Sequence, residues 1–400
     1  MTGAGVCVLV TTSFPIAGDG SEAAGSFVSD LVDELAQHLC VRVIAPGPVS
    51  RRERRGTRVE VFRYAAPEQP LSTLKPWRIR DAGQILRVLK SGKTALNEAM
   101  ELGGVGHVLA LWAFPSGYWA RKASRRFVVP YSAWALGSDI WGLARIPLLR
   151  ALISRILRDA RFCFADGVAL AAQAQRLAQR EVEFLASARS LAPVRDKQLA
   201  DGPPYKLLFL GRWHRNKGVD LLLDSLNLLR EEVWNKISRI EIFGGGPLEE
   251  SVKAQVSTLQ RAGRPVLLGG FLAKDAAGAA LRASDFVLLP SRIESIPLIY
   301  SDAIKMGCPV VAMPVGDLPA LIASGGTGVC ASAISAAAFA GSLEILLHRP
   351  PASYAEHLER AAQPFDLACH VVPRLLQAMG LPTAMAARAK RNQPREVRPP

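Results

Sequence analysis

The chain has little cysteine and spreads it thinly. Its six cysteines, Cys7, Cys40, Cys163, Cys308, Cys330 and Cys369, form no C-x-x-C pair in 400 residues. The sequence thus lacks the ligand spacing of a zinc site and the density of a disulfide framework, and it fits a reducing compartment. Long hydrophobic runs are missing too: no apolar stretch approaches the roughly 20 residues needed to cross a bilayer. No basic segment precedes the short apolar run from Val6 to Val10, so a secretory signal is not expected. There is no G-x-x-x-x-G-K-[ST] loop, no D-x-D and no histidine cluster, so neither a metal nor a cofactor is expected. GDGSEA at 18–23 fits G-x-G-x-x-A, but five residues, Pro15 among them, separate it from the preceding strand. In a dinucleotide fingerprint the first glycine closes the strand directly, so this loop reads as phosphate-facing and not as an NAD site.

Charge is present but unevenly placed. Residues 1–200 hold 27 Lys/Arg against 17 Asp/Glu, a net of +10, which leaves +4 of the total of +14. The tail 384–400 has five basic residues and one acid, also +4, so residues 201–383 are neutral overall. A basic first half suits anionic lipid or an acidic acceptor. No RNA- or DNA-reading motif accompanies the charge, so nucleic acid is not expected as a partner. The expected location is cytoplasmic, extending to a peripheral position on the inner face of the cell membrane.

Short apolar runs alternate with helical patterns, the mark of parallel α/β units. Strands are predicted at Val6–Thr12, Val41–Ala45, Val59–Tyr64, Val105–Trp112, Phe127–Ala133 and Phe162–Ala165. After a polar, Pro/Gly-rich stretch they resume at Lys206–Leu210, Ile240–Phe243, Val266–Leu268, Phe286–Leu289 and Val310–Ala312. The expected division is a first domain 1–195, a linker 196–205, a second domain 206–365, a helix 366–383 packing back on the first domain, and a disordered basic tail 384–400. Two β-α alternations predict two doubly wound, Rossmann-like domains facing each other across a cleft, with ligands at the carboxyl ends of the strands.

The chemistry-bearing segments follow the strands of the second half. LLFLGRWHRNKG at 207–218 runs from strand to glycine turn, Gly211, then to Arg212 and Lys217, with an apolar helix face after it. Two cations at a strand-to-helix turn suit a diphosphate: Arg offers a planar fork of donors, Lys a compact charge, and the helix N-terminus its dipole. The same residues would also make a solvated basic turn. IFGGGP at 242–247, with Gly245 and Gly246, and LLGGF at 267–271, ending on Phe271, place glycines where backbone can approach a ligand, though glycine turns after strands are common. In residues 284–322 a strand ends at Pro290, Glu294 lies in the loop, and a helix from about Pro297 to Met306 carries Asp302. Carboxylates there can accept from sugar hydroxyls; alternatively Glu294 caps the helix and Asp302 is a surface acid. In the first half, RIPLLRALISRILRDARF at 145–162 and RIRDAGQILRVLKSGK at 78–93 are amphipathic and basic. Their apolar faces are expected to pack on the sheet with the arginines solvated; the sharper reading is a surface resting on anionic lipid.

GRWHRNKG, GGGP, LLPSRIESIPLIYSDAIKMGCPVVA and GDLPALI, in this order, together resemble glycosyltransferase family 4, and TTSFP, AGSFVSDLVDELAQH, VIAP and ALGSDI extend the likeness into the first half. The resemblance implies the GT-B fold and a retaining transfer of a hexose-type sugar from a UDP- or GDP-sugar, without metal, to a glycolipid, lipid-linked or cell-envelope polysaccharide acceptor. It implies that Arg212 and Lys217 hold the diphosphate and stabilise it as leaving group. Glu294 would contact the transferred sugar and Asp302 the ribose. The backbone at Ile296, Pro297 and Leu298 would meet the donor, Phe271 would wall the base, and Gly18, Gly20 and Gly25 would reach the diphosphate from the first domain. Asp139 matches the acid of a cleft-facing loop. Two departures stand out: the second acid is Asp and not Glu, and Leu136 stands where the family commonly has a histidine. His107 and His214 are the nearest replacements. The alternatives are a nucleotide-sugar epimerase on the same fold and a non-catalytic sugar-nucleotide-binding protein.

Overall fold

The computed structural model describes residues 5–16, 25–67, 78–191 and 200–380. The chain divides into two compact units, Met1–Leu185 with Leu367–Pro400, and Ala186–Asp366. Gly18, Gly20, residues 196–199 of the expected linker and the whole tail 384–400 lie outside the described residues.

The first unit holds β1 (Val6–Val10), β2 (Cys40–Gly47), β3 (Arg51–Arg55), β4 (Val59–Ala65), β5 (Val105–Leu111), β6 (Tyr131–Ala135), β7 (Phe162–Ala165) and β8 (Glu183–Phe184), in the order β3-β4-β2-β1-β5-β6-β7-β8. All neighbours are parallel except β3, which runs antiparallel to β4. Alternate residues of the central strands feed opposite faces, as the two-residue strand period requires. Val8 and Val10 join Val88, Leu96, Trp119, Ile153 and Ile156 from the helices of one face. Cys7 and Leu9 join Leu31 and Leu35 on the other face, together with Leu375 from the final helix, Val372–Met379. Arg374 of that helix donates to Glu183 at 2.7 Å, fixing it against the sheet edge. Helix Pro147–Asp159 buries Ile153, Ile156 and Leu157 and leaves Arg150, Arg155 and Arg158 exposed, so the face it packs with is the apolar one.

The second unit holds β9 (Tyr205–Leu210), β10 (Ile237–Phe243), β11 (Val266–Gly269), β12 (Phe286–Leu289), β13 (Val310–Ala312) and β14 (Gly328–Cys330), all parallel, in the order β11-β10-β9-β12-β13-β14. The sheet grows outward from β9 in one direction and then restarts from β12 in the other. The carboxyl ends of β9 and β12 therefore flank a topological switch point, where adjacent loops diverge and open a crevice.

Three differences from the sequence expectation have local causes. The strand expected at Phe127–Ala133 begins at Tyr131, because helix Ser116–Phe127 continues to Phe127 and ends on Val128 at φ 54°. β3 contains no apolar residue; cross-strand pairs such as Arg52–Glu60 at 2.9 Å and Arg63–Glu53 at 2.9 Å hold it. β14 is three residues long and invisible as an apolar run.

Candidate functional site

The loop after β9 is shaped by glycines and one tryptophan. Gly244, at φ 154°, lies so close to the loop that a Cβ there would stand 2.0 Å from the Gly211 carbonyl oxygen. The buried Trp213 donates its amide to the Gly245 carbonyl at 2.8 Å, and its own carbonyl accepts from Leu248 at 3.0 Å. Between the anchored Gly211 and Trp213, Arg212 is exposed. His214 then accepts the Asn216 amide on its ring Nδ1 at 3.1 Å and caps the 3-10 turn Arg215–Lys217. Gly218 closes that turn at φ 73°; a Cβ there would meet the Pro290 carbonyl oxygen at 1.8 Å. The loop after β9 and the loop after β12 thus touch at a point where only glycine fits.

The second loop is held as firmly. Arg292 donates to both carboxylate oxygens of Asp220, at 2.7 and 2.8 Å, and to the Arg215 carbonyl at 2.6 Å. Burial alone would raise the Asp220 carboxyl, but the hydrogen bonds and charge of Arg292 hold it below the usual range. Gly316, at φ 54°, packs its α-carbon against the loop from behind: a Cβ would lie 2.2 Å from the Ser295 oxygen and 2.4 Å from that of Glu294. The Asp317 amide donates to the Ser295 carbonyl. On this frame Glu294 accepts from the Ser291 hydroxyl at 3.2 Å and is ion-paired to Lys217 Nζ. The lysine side chain is 31% exposed and the carboxylate 15%, so the pair is accessible. Ile296 and Pro297 are buried, and Leu298 opens the helix Leu298–Lys305. The first amides of a helix lack partners within it and face an incoming anion.

The structure therefore brings Arg212, Lys217, Glu294 and the start of that helix to one end of one sheet. Phe271 lies alongside: its ring is 64% exposed, and a Cβ on Gly245 would stand 2.7 Å from its Cε2. At Gly246, φ 145°, a Cβ would meet the Trp213 carbonyl oxygen at 2.9 Å, whereas at Gly211 it would meet nothing nearer than 3.5 Å.

Asp302 stands apart. It is fully buried and ion-paired to Arg189 through Oδ2, while its Oδ1 has no hydrogen-bond partner among the described residues, so it is not a surface acid. Lys305, one turn on, donates Nζ to the Arg189 carbonyl at 2.9 Å, so one face of the helix clamps the 186–191 segment. Arg189 and Asp220 lie outside the motif segments, and Ser291 and Arg292 lie inside the 284–322 stretch without a distinguishing signal of their own.

In the first unit, Asp139 is engaged by backbone amides. It is fully buried, its Oδ2 accepts the Ala113 amide at 2.6 Å, and its Oδ1 accepts those of Ile140 at 3.1 Å and Leu136 at 3.3 Å. Burial pushes its carboxyl upward, while the amides of Ala113, Asp139 itself, Leu136 and Ile140 act against that. The side chain staples the loop after β5 to the loop after β6. Asp139→Ala leaves the Ala113 and Leu136 amides without this acceptor in a dry site, each costing about 1–3 kcal/mol, while Ile140 keeps the Gly137 carbonyl. A loss of about 2–4 kcal/mol in chemical unfolding is expected; an unchanged midpoint would remove the staple role. Gly25 opens helix Ser26–His38, where a Cβ would crowd Pro15 Cδ at 2.9 Å. His107 is fully buried in β5 with Nε2 2.9 Å from the Ser132 hydroxyl, and burial, helped by Arg161, pushes its pKa down to about 4. His107 is a neutral core residue and His214 a turn cap.

Residues 204–349 match the family described as Glycosyl transferases group 1. Among curated relatives, the D-inositol 3-phosphate glycosyltransferase of Corynebacterium aurimucosum is 34% identical over 146 residues, 36% of this chain and 35% of that protein. The GDP-mannose-dependent alpha-(1-6)-phosphatidylinositol monomannoside mannosyltransferase of Mycolicibacterium smegmatis is 28% identical over 229 residues, 52% of this chain and 58% of that protein. The chain thus spans little more than a third of the first of these relatives and somewhat over half of the second. Among solved structures, Anabaena HepE in complex with UDP and glucose matches 94% of this chain and 99% of its own with a TM-score of 0.65 at 16% identity, a likeness of fold. The protein has the GT-B fold. Residues 204–349, the stretch that carries Arg212, Lys217 and Glu294, are thus similar to the group 1 glycosyltransferase domain.

Proposed function

We propose that this protein is a retaining glycosyltransferase that moves a hexose-type sugar from a UDP- or GDP-sugar to a lipid-linked or saccharide acceptor. The observation that carries the reading is the accessible Lys217–Glu294 pair with exposed Arg212 at the β9/β12 switch point. In this reading Arg212 and Lys217 receive the donor's diphosphate, assisted by the amides at the start of helix Leu298–Lys305, and they stabilise the negative charge that grows as the sugar leaves. Glu294 accepts from hydroxyls of that sugar, and Phe271 offers a face to the base. The two cations supply the charge that a metal supplies elsewhere. The relatives' names support a nucleotide-linked donor and an inositol or inositol-lipid type of acceptor, and the fold neighbour was solved with UDP and glucose. No described helix is long and apolar enough to cross a membrane, so a lipid-linked acceptor would be met at a surface.

A thermal-shift screen of UDP- and GDP-sugars tests the donor. A ligand present at about 100 times its Kd adds about 2.7 kcal/mol to the unfolding free energy, a shift of several degrees. One nucleotide family is expected to stand out, and transfer of its sugar with the anomeric configuration kept, read by NMR of the product, would establish the reaction. No shift with any nucleotide or nucleotide sugar would reject the reading.

A further inference from the structure

A second concave site lies in the first unit, between the β3–β4 edge and helix Ile79–Glu101, and it is independent of the proposed donor site. Its volume is about 440 Å³, and five cations line it: Arg51, Arg52, Arg63, Arg87 and Lys90. Glu98 is the acid in the lining. Three of the arginines have partners. Arg63 is buried, with its guanidinium spent on Glu53 and on the carbonyls of Phe14, Pro15 and Pro46. Arg51 reaches Glu53 at 3.0 Å, and Arg52 reaches Glu60 at 2.9 Å while its guanidinium lies 5.1 Å from the Phe62 ring centre. Arg87 and Lys90 are exposed and have no ion-pair partner among the described residues.

Charge on an edge strand protects it from pairing with other chains, and that accounts for β3. It does not account for Arg87 and Lys90. They sit on the facing helix, three residues apart on the side shared with Ser91, Thr94 and Glu98. Gathering unpaired like charges in a concavity is unfavourable unless an anion enters. Arg52, stacked on Phe62 and fixed by Glu60, adds a preorganised planar donor on the opposite wall. We propose that this groove binds a phosphate-bearing group, with Arg87 and Lys90 as its principal ligands and Arg52 opposite. The cavity exceeds a bare phosphate and falls in the range of small-molecule sites, so the phosphate is carried on a larger group, either a free phosphorylated small molecule or a lipid headgroup.

Hydrogen exchange on the full chain with inorganic pyrophosphate as probe separates this site from the donor domain. Saturable protection is expected in Arg51–Arg55 and Ile79–Glu101. It should persist in Arg212→Ala, and its half-point should rise about tenfold for each charge lost in Arg87→Gln and Lys90→Gln. The exposed positions make the neutral variants safe for folding, and Arg87→Glu/Lys90→Glu should abolish the protection. Co-sedimentation with phosphatidylglycerol against phosphatidylcholine vesicles then tells the sources apart: capture by the first alone, lost in the double reversal, identifies a headgroup. Pyrophosphate protection without vesicle capture identifies a soluble phosphate compound. Equal protection by chloride at matched ionic strength, or unchanged protection in the double reversal, overturns the proposal.

Discussion

Arg212→Ala and Lys217→Ala are each expected to lower sugar transfer by roughly 10²–10³-fold, the cost typical of removing one preorganised donor aimed at developing charge. The fold should survive. Arg212 is exposed between two anchored residues, and the Gly211, Trp213 and Gly218 backbone contacts that shape the loop do not involve its side chain. The two variants should differ in one respect. Lys217 is the cation that Glu294 holds, so Lys217→Ala also frees that carboxylate beside the diphosphate position. Like charges there repel, and the affinity for bare nucleoside diphosphate should fall further in Lys217→Ala than in Arg212→Ala. Lys217→Arg keeps the charge but not the compact ammonium, and should recover part of the binding. Transfer within a few-fold of normal in both alanine variants, with unchanged melting, would remove these residues from the reaction.

The readable parts of this chain were those determined by short stretches. β12, β7 and β13 are apolar runs bounded by turn residues and lie where their composition puts them. Arg212, Lys217 and Glu294 are legible as candidates because each sits a few residues beyond a strand end, and β9 and β12 are neighbours at the switch point. What escaped depends on distant partners. β3 is held by charges exchanged with β4: Glu60 of β4 takes Arg52 and Arg54, and Glu53 of β3 takes Arg63. Asp302 looks like an open acid until Arg189, 113 residues earlier in the chain, is placed against it. Asp139 carries a family-like motif, yet the amides it accepts come partly from a loop 26 residues away. A polar residue's task is set by what surrounds it, and local sequence does not report that.

The two acids of the second domain make opposite predictions for the same measurements. Glu294→Gln removes the charge that occupies Lys217 while keeping the size of the side chain. The lysine is then released to the diphosphate, so bare UDP or GDP should bind as well as before or up to a few-fold tighter. Transfer should still fall by about ten- to a hundredfold, because a hydrogen bond to a charged acceptor is worth about 1.5–3 kcal/mol. Melting should change little, since this pair is accessible and accessible pairs contribute about 0–1 kcal/mol. Asp302→Asn acts elsewhere. Asp302 is fully buried, and truncating one partner of a buried pair strands the other charge, at a cost of about 3–5 kcal/mol. Its first effect should be a lower melting point, with the 186–191 segment loosened from helix Leu298–Lys305. Contact between Asp302 and the ribose would require the Arg189 pair to give way. Arg189→Ala separates the two tasks of this acid: if Asp302 meets the ribose, that variant should bind nucleotide more tightly than Asp302→Asn although both lose the ion pair. Titrating UDP and GDP into the three variants, with melting curves alongside, decides it. Weaker nucleotide binding in Glu294→Gln than in Asp302→Asn would overturn the assignment of Glu294 to the sugar.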